Sequence, residues 1–143
     1  MNYKKISYII LFIFLPLFIS CEVGVDDSIP EGIYIYTAFD SLGTAVSKGW
    51  IKIGIKDSTI FGSWEIDKIG NPQNIGPQIG KGELEGNFSD NKMVIGLNPD
   101  YVDNNIVLDG SLKENKLTGK WYYSSFIGLT NWGTFEAVKM RNE

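Results

Sequence analysis

The segment NPDYVDNN at 98–105 brings four oxygen-bearing side chains close together in the chain. Asp100, Asp103, Asn104 and Asn105 offer the carboxylate and amide oxygens that Ca²⁺ accepts as ligands. The segment lacks the residue spacing and the glycine of an EF-hand loop. Of the two interpretations, a calcium-binding loop and a solvated turn, we therefore favour the turn and predict no metal site.

Two pairs of carboxylates have a spacing that could serve acid–base chemistry. Glu65 with Asp67, and Glu83 with Glu85, each lie two residues apart and share one face of an extended strand. The alternation of apolar and polar residues around them makes that face the outer one. A glycosidase pair needs a cleft between its carboxylates, so we interpret these residues as solvated surface charge.

The composition removes most other catalytic and metal-binding chemistry. The chain has no histidine, so the commonest general base and the commonest metal ligand are both missing. A cysteine cluster, an HExxH motif and a Walker-type glycine loop are also absent from the sequence. The sequence therefore predicts a protein that is not an enzyme and that needs no cofactor.

The N-terminal segment MNYKKISYIILFIFLPLFISC has the layout of a secretory leader. Lys4 and Lys5 precede an apolar run over 9–19, which is shorter than the roughly 20 residues that span a bilayer. This layout predicts a signal peptide over 1–20. The alternatives are a transmembrane anchor and an ordinary signal peptide followed by an incidental cysteine.

Cys21 is the chain's only cysteine, and it directly follows the small residue Ser20. This junction resembles the lipobox of bacterial lipoproteins, although Phe18 stands where that family has leucine, and Leu17 lies one place too early. The resemblance implies that Cys21 carries acyl chains of the palmitate type and becomes the mature N-terminus. It also implies a lipidated tether over 21–30 and a location in the cell envelope, at the outer membrane in a Gram-negative cell.

The remaining chain is acidic and forms one domain. Removal of Lys4 and Lys5 with the leader takes the thirteen basic residues to eleven, against seventeen acidic ones. This balance argues against a nucleic-acid partner, which would have to be bound through basic residues. With one cysteine there is no intrachain disulfide, so the core of a domain over 31–143 must hold the fold alone.

Three short segments repeat one pattern, an apolar residue on each side of four mostly polar ones. The segments are IKDSTI at 55–60, FSDNKM at 88–93 and LKENKL at 112–117. On both sides of each segment, apolar and polar residues alternate with a period of two, as in strands with one buried face. Asp, Ser, Glu and Asn occupy the centres, where turn geometry is needed. Each segment is therefore predicted to be the tip of a tight β-hairpin.

Two further alternating segments complete a set of eight strands. We predict strands at 32–40, 48–56, 59–67, 79–88, 92–98, 104–112, 116–126 and 131–140. Eight short antiparallel strands favour an up-and-down meander barrel, because closure removes exposed strand edges. Glycines at 62, 86, 110 and 119 on the inward face would allow the sheet to coil tightly. The alternative is an open β-sandwich.

Tight and longer connections are predicted to alternate along the chain. The longer ones fall at 40–47, 68–78, 98–103 and 127–130. In a meander, alternate connections lie at opposite ends, so all four longer ones should lie at one end and the tether at the other. We expect binding residues at that end, because loops vary without disturbing the strands.

The segment KIGNPQNIGPQIGKG at 68–82 has three apolar residues in a polar surrounding: Ile69, Ile75 and Ile79. It is predicted to be either a lid over the barrel mouth or a solvated surface loop. On the lid interpretation, polar replacement of Ile75 or Ile79 should weaken binding and leave stability nearly unchanged.

LTGKWYYSS at 117–125 and IFGSWEI at 60–66 share a Gly-x-Trp motif on predicted strands. The motif resembles that of the calycins, the lipocalin-like and avidin-like proteins. The resemblance implies an eight-stranded barrel in which such tryptophans close one end or line a ligand cavity. Trp64, Trp121 and Tyr123 are therefore candidate ligand-lining residues, and the alternative is that they fill the barrel.

Two functional hypotheses follow. In the first, a membrane-tethered barrel binds a small apolar ligand or an envelope partner at the end with the longer loops. In the second, an architectural or assembly lipoprotein has a filled barrel and contacts another envelope protein. An interior cavity reached from that end would favour a small ligand, and a filled interior would favour the second hypothesis.

Overall fold

The computed structural model describes residues 30–73 and 75–141, and the predictions for the signal peptide, Cys21 and the tether before residue 30 lie outside this range. The described chain contains eight strands and no helix. No segment in it therefore forms a helix that could cross a membrane. The strands are β1 (Gly32–Asp40), β2 (Ala45–Lys56), β3 (Thr59–Lys68), β4 (Gly80–Ser89), β5 (Lys92–Gly96), β6 (Asn104–Lys113), β7 (Lys116–Ser125) and β8 (Gly128–Lys139).

The eight strands form one closed antiparallel barrel in sequence order. Each strand pairs with its neighbours in the chain, and β1 closes the sheet on β8 from Tyr34 opposite Lys139 to Asp40 opposite Gly133. The meander barrel predicted from period-two patterning is confirmed, and the open sandwich is excluded. The strand ends lie within three residues of the predicted ones.

The three repeated segments are hairpin tips, as predicted. The two-residue turns 57–58 and 90–91 have positive φ at both positions, which is the type I′ geometry that matches the twist of the flanking strands. In the turn 114–115, Glu114 has a positive φ. Asp and Asn adopt this backbone region more readily than most residues, and they occupy three of the four positive-φ positions in the first two tips.

The prediction of a longer link at 127–130 is wrong. β7 and β8 are joined by a two-residue turn, Phe126 and Ile127, and β8 begins at Gly128. Neither turn residue has a positive φ, but Gly128 does, at 96°. A turn of this kind needs a glycine after it rather than Asp or Asn within it. A bulge between Tyr123 and Ser124 adds a register shift nearby.

The two ends of the barrel differ in their connections. Residues 41–44, 69–79, 97–103 and 126–127 connect strands at one end, which we name the long-loop end. The other end holds the three Asp/Glu-containing turns and is named the tight-turn end. There the hydroxyl of Tyr34 donates a hydrogen bond to the carbonyl of Pro30, 2.7 Å away. The chain therefore enters the barrel opposite the long loops, as predicted.

Side chains from all eight strands fill the barrel interior with one continuous apolar core. Near its centre the rings of Tyr36 and Phe135 stack with centroids 5.8 Å apart. The largest side chains that are fully buried include Trp121, Tyr34 and Tyr36. An eight-stranded barrel is just wide enough for such side chains.

Glycines at two inward positions permit neighbouring strands to approach closely. A Cβ on Gly62 would overlap the carbonyl oxygen of Lys52 in β2, and one on Gly119 would overlap the carbonyl oxygen of Asp109 in β6. The strands cross here with no room for a side chain. The predicted role of these glycines in tight coiling is thus supported by geometry.

We expect Gly62→Ala to lower the free energy of unfolding by about 1–3 kcal/mol, because the new methyl group must push two backbones apart. Gly54→Ala is the matched control, since its new methyl group would meet only the exposed ring of Phe61. Urea unfolding followed by circular dichroism measures both changes. Equal stability of the two variants would contradict the close-approach explanation.

Candidate functional site

Trp64 spans a neighbouring strand from inside the barrel. It lies on β3 opposite Gly82 of β4, and a Cβ on Gly82 would meet the indole ring. The indole N–H donates to the carbonyl of Leu97 beyond β5, at 2.6 Å, and to that of Glu83, at 3.2 Å. The side chain therefore ties β3 to the strand after next.

Trp121 repeats this arrangement on the opposite side of the barrel. It lies on β7 opposite Gly133 of β8, where a Cβ would overlap the indole. The indole N–H donates to the carbonyl of Phe39 in β1, 2.8 Å away. This bond crosses β8 and therefore ties β7 to β1 across the strand that closes the barrel.

Each Gly-x-Trp motif thus has two structural parts. Its glycine, Gly62 or Gly119, permits close approach to the preceding strand, and its tryptophan reaches across a glycine of the following strand. Both tryptophans are buried members of the core. Tyr123, the third candidate ligand-lining residue, is half-buried against the core and donates its hydroxyl to Asn104 at 3.2 Å.

The segment 69–79 covers the barrel mouth, and we name it the lid. Ile75 is buried and belongs to the core. A Cβ on the adjacent Gly76, which has a φ of 65°, would overlap the ring of Tyr123 and touch Ile106. Ile75 thus enters the mouth, and Gly76 lets the chain pass over β6 and β7.

Gln78 holds this segment in place from within. Its side chain is fully buried, and its Oε1 accepts from the hydroxyls of Tyr36, at 3.3 Å, and Ser47, at 3.2 Å. Its Nε2 donates to the carbonyl of Ile75, 2.8 Å away. Buried amides stabilise a fold only when their hydrogen bonds are made, and here both ends of the amide are used. The network joins the lid to β1 and β2.

Sequence reasoning missed Gln78, although it predicted its neighbours Ile75 and Ile79. A glutamine in a polar loop carries no periodic signal. The one available indication was its position between two isoleucines at 75 and 79, a spacing that a simple polar loop does not need.

The other two predicted lid residues lie at the edges of this segment. Ile69 is half-buried, with its N–H bonded to the carbonyl of Val46 at 2.9 Å. Ile79 is exposed. The side chain of Asn98 donates to the carbonyl of Pro77 at 3.4 Å, so the segment meets the 97–103 loop at the same end, as the meander requires.

Burial affects the two core tyrosines that lie along β1. It raises the pKa of Tyr34 to about 12, and it raises the pKa of the fully buried Tyr36 further above its ordinary value. Both phenols are therefore neutral donors at physiological pH, as their hydrogen bonds to Pro30 and Gln78 require. Neither has the lowered pKa that a catalytic phenolate would need.

Large apolar side chains stand exposed in three connections at the long-loop end and at the start of β8. Leu42, Val102, Phe126 and Ile127 are 82–89% exposed, and Tyr101 and Leu129 are also exposed. We name these six residues the apolar tips. Single exposed apolar residues are ordinary, but a group collected at one end of a domain is typical of an interaction site.

A cleft of about 360 Å³ lies at the same end, between the 41–44 turn and the first half of the lid. Ile69, Val46 and Pro72 contribute to its lining together with Asp40 and Thr44. The Asp40 carboxylate accepts from the N–H groups of Leu42 and Thr44, at 2.9 and 2.8 Å, and so fixes the turn. The cleft is open to solvent and lies outside the filled core.

Of the candidate calcium residues, Asp100 and Asp103 lie in the 97–103 loop, and Asn104 and Asn105 begin β6. The Asn105 side-chain oxygen accepts from the N–H of Asn98 at 2.9 Å, and that of Asn104 accepts from Tyr123. The side-chain oxygens of two of the four candidate residues are therefore already engaged. Within residues 30–73 and 75–141, no group of three or more carboxylate or cysteine side chains is arranged for a metal ion.

The two carboxylate pairs lie on the outer face, as predicted. Glu65 is opposite Lys81, and Glu83 is opposite Ser63, on the convex surface of β3 and β4. All four carboxylate residues are exposed. No cleft separates the two members of either pair, because they share one strand.

Comparisons with known proteins add no family to these observations, since no protein-family model, curated protein or solved structure matches the chain. The likeness of its Gly-x-Trp strands to those of calycins remains a resemblance of motif and strand number.

The structure changes the expected effect of polar replacement in the lid. We predict that Ile75→Asn lowers the free energy of unfolding by about 3 kcal/mol, because it removes an apolar side chain from the core and buries an amide. Ile79→Asn should change it by less than about 0.5 kcal/mol, because this side chain is exposed. Urea unfolding compares the two variants, and a stable Ile75→Asn variant would show that the lid is separate from the core.

Proposed function

We propose that this chain is a lipid-anchored protein of the bacterial cell envelope whose filled barrel presents its long-loop end to a partner protein. The observation that carries the proposal is the group of apolar tips on three separate connections at that end. No catalytic step is part of this function. The barrel serves as a rigid support that holds the tips in fixed positions.

The packing of the interior supports a protein partner over a small ligand inside the barrel. Trp64, Trp121, Tyr36 and Phe135 occupy the space in which a calycin-like barrel would hold a ligand. The lid adds Ile75 and Gln78 to the same core. Of the two hypotheses raised by the sequence, the filled barrel is the better supported.

The charges around the apolar tips indicate the chemistry of the partner. Asp100 and Asp103 flank Tyr101 and Val102 in the 97–103 loop. Two carboxylates beside the tips disfavour an anionic lipid surface and favour a protein whose apolar recess has a basic border. The open cleft beside Ile69 is large enough to receive one side chain of such a partner.

The proposed anchor agrees with this orientation. Acyl chains on Cys21 would hold the protein through residues 22–29, and the chain enters the barrel at Pro30, at the tight-turn end. The apolar tips lie at the opposite end. An anchored barrel would therefore hold its tips at the end farthest from the point of attachment.

We expect a photo-crosslinking amino acid in place of Phe126 to form a discrete adduct with one envelope protein in host cells. The apolar tips, which include Phe126, are the part of the barrel expected to lie closest to the proposed partner. The same amino acid in place of Phe61, half-exposed on the outer wall, is the matched control. Gel mobility before and after protease treatment distinguishes protein adducts from lipid adducts.

When the photo-crosslinking amino acid is at position 126, the additional change Leu42→Asp should abolish the adduct. It should not change the melting temperature, since Leu42 is 89% exposed. Lipid adducts alone, or equal adducts from positions 126 and 61, would contradict a protein partner at the long-loop end.

We expect Cys21→Ser to prevent membrane attachment together with signal cleavage, because lipidation and processing both depend on that sulfur in the lipoprotein family. Fractionation of cells and mass spectrometry of the N-terminus measure the two effects. Ser20→Ala keeps a small residue before the cysteine and is the control. A Cys21→Ser protein that is processed normally and stays with the membrane would refute the anchor.

A further inference from the structure

The outer wall of the barrel divides into two halves with different charges. The pairing register shows which side chains of each strand face outward. Outward positions of β7, β8, β1 and β2 carry five lysines and one glutamate: Lys48, Lys52, Lys56, Lys116, Lys120 and Glu136. Those of β3 to β6 carry five carboxylates and three lysines: Glu65, Asp67, Glu83, Glu85, Asp109, Lys81, Lys92 and Lys113.

The basic half also carries a continuous apolar surface. Ile33, Ile35, Val138 and Met140 are each 41–50% exposed. Ile35 lies opposite Val138 on one side and Trp50 on the other, and the N–H of Met140 bonds to the carbonyl of Ile33 at 2.8 Å. We name these five residues the wall patch.

The carboxylates nearest the wall patch are engaged within the protein. Glu136 pairs with Lys116 at 2.7 Å. Glu31, just before β1, accepts a hydrogen bond from the N–H of Ile55 at 2.9 Å. On β2 the wall patch is bordered by Lys48 and Lys52, the outward residues on either side of Trp50. The Glu136–Lys116 pair beside it contributes no net charge.

We propose that the wall patch is a peripheral contact face for an anionic phospholipid surface. Apolar side chains among lysines match such a surface, because the apolar groups enter the boundary below the headgroups and the lysines attract the phosphates. A second copy of the chain fits less well. Two wall patches brought face to face would set the same lysines against each other.

The position of the wall patch fits a barrel that rests on its side. Ile33 and Met140 lie at the tight-turn end, beside the entry of the chain at Pro30. The exposed apolar side chains of this region lie on the wall, whereas the residues of the three turns at that end, 57–58, 90–91 and 114–115, are all polar. The wall rather than the end of the barrel therefore makes the contact. This inference concerns a different surface from the partner site at the apolar tips.

The test uses the chain from residue 22 onward, because the described residues contain the whole closed sheet and its core. Co-sedimentation is measured with vesicles of phosphatidylcholine alone and with vesicles containing phosphatidylglycerol. We expect binding to the second kind that falls as salt rises. Ile35→Asp and Lys52→Glu should each lower the partition coefficient by about fivefold or more, since one lysine near an anionic surface contributes about that factor.

Matched controls lie on the acidic half of the wall. Val94→Asp changes a side chain as exposed as Ile35, and Lys92→Glu reverses an outward lysine; neither should alter binding. Circular dichroism checks that each variant is folded. If Ile35→Asp does not fold, the comparison of Lys52→Glu with Lys92→Glu still decides the test. Absence of vesicle binding, or equal losses in the controls, overturns the proposal. A dimer that Ile35→Asp dissociates, seen without vesicle binding, overturns it in favour of a second copy.

Discussion

The shape of the barrel depends on two indole groups that each reach across a glycine to a carbonyl on the far side of the intervening strand. Trp64 does this over Gly82 and Trp121 over Gly133. A buried indole N–H needs an acceptor, and these acceptors can be reached only if the intervening strand has no side chain there. The requirement draws three strands together at two places around the sheet. It favours a narrow barrel whose interior is occupied, and it leaves the ends and the outer wall as the surfaces that other molecules can reach.

Much of the fold could be predicted because its strands and most of its turns leave local patterns in the sequence. Alternation gave the strand positions, and the Asp- and Asn-rich tips indicated turns with positive φ. The Phe126–Ile127 turn was missed because apolar residues resemble a continuing strand, and its one signal, Gly128, lies after the turn. The candidate site was less predictable. Burial of Ile75 and Gln78 depends on which strands lie beneath the lid, and the exposure of Phe126 depends on that unrecognised turn.

The lid has the chemistry of the core rather than that of a surface loop. Gln78 satisfies hydrogen-bonding groups on β1, on β2 and on its own segment. An apolar residue of similar size in its place would leave the buried hydroxyls of Tyr36 and Ser47 without this partner, at a cost of about 1–3 kcal/mol for each group left unsatisfied. The long-loop end therefore has a fixed base, from which the apolar tips project.

The chain enters the barrel at one end, and the apolar tips lie at the other end of the same strands. This arrangement also determines how the barrel resists force. β1 begins beside Pro30 at one end and finishes at Asp40 near the tips, and it is bonded along its length to both β2 and β8. A pull between Pro30 and the far end therefore runs along β1. Its hydrogen bonds lie across the strand direction, so the load is shared by the two ladders together instead of opening them one bond at a time. This connectivity gives the barrel the mechanical character of a shear-loaded link.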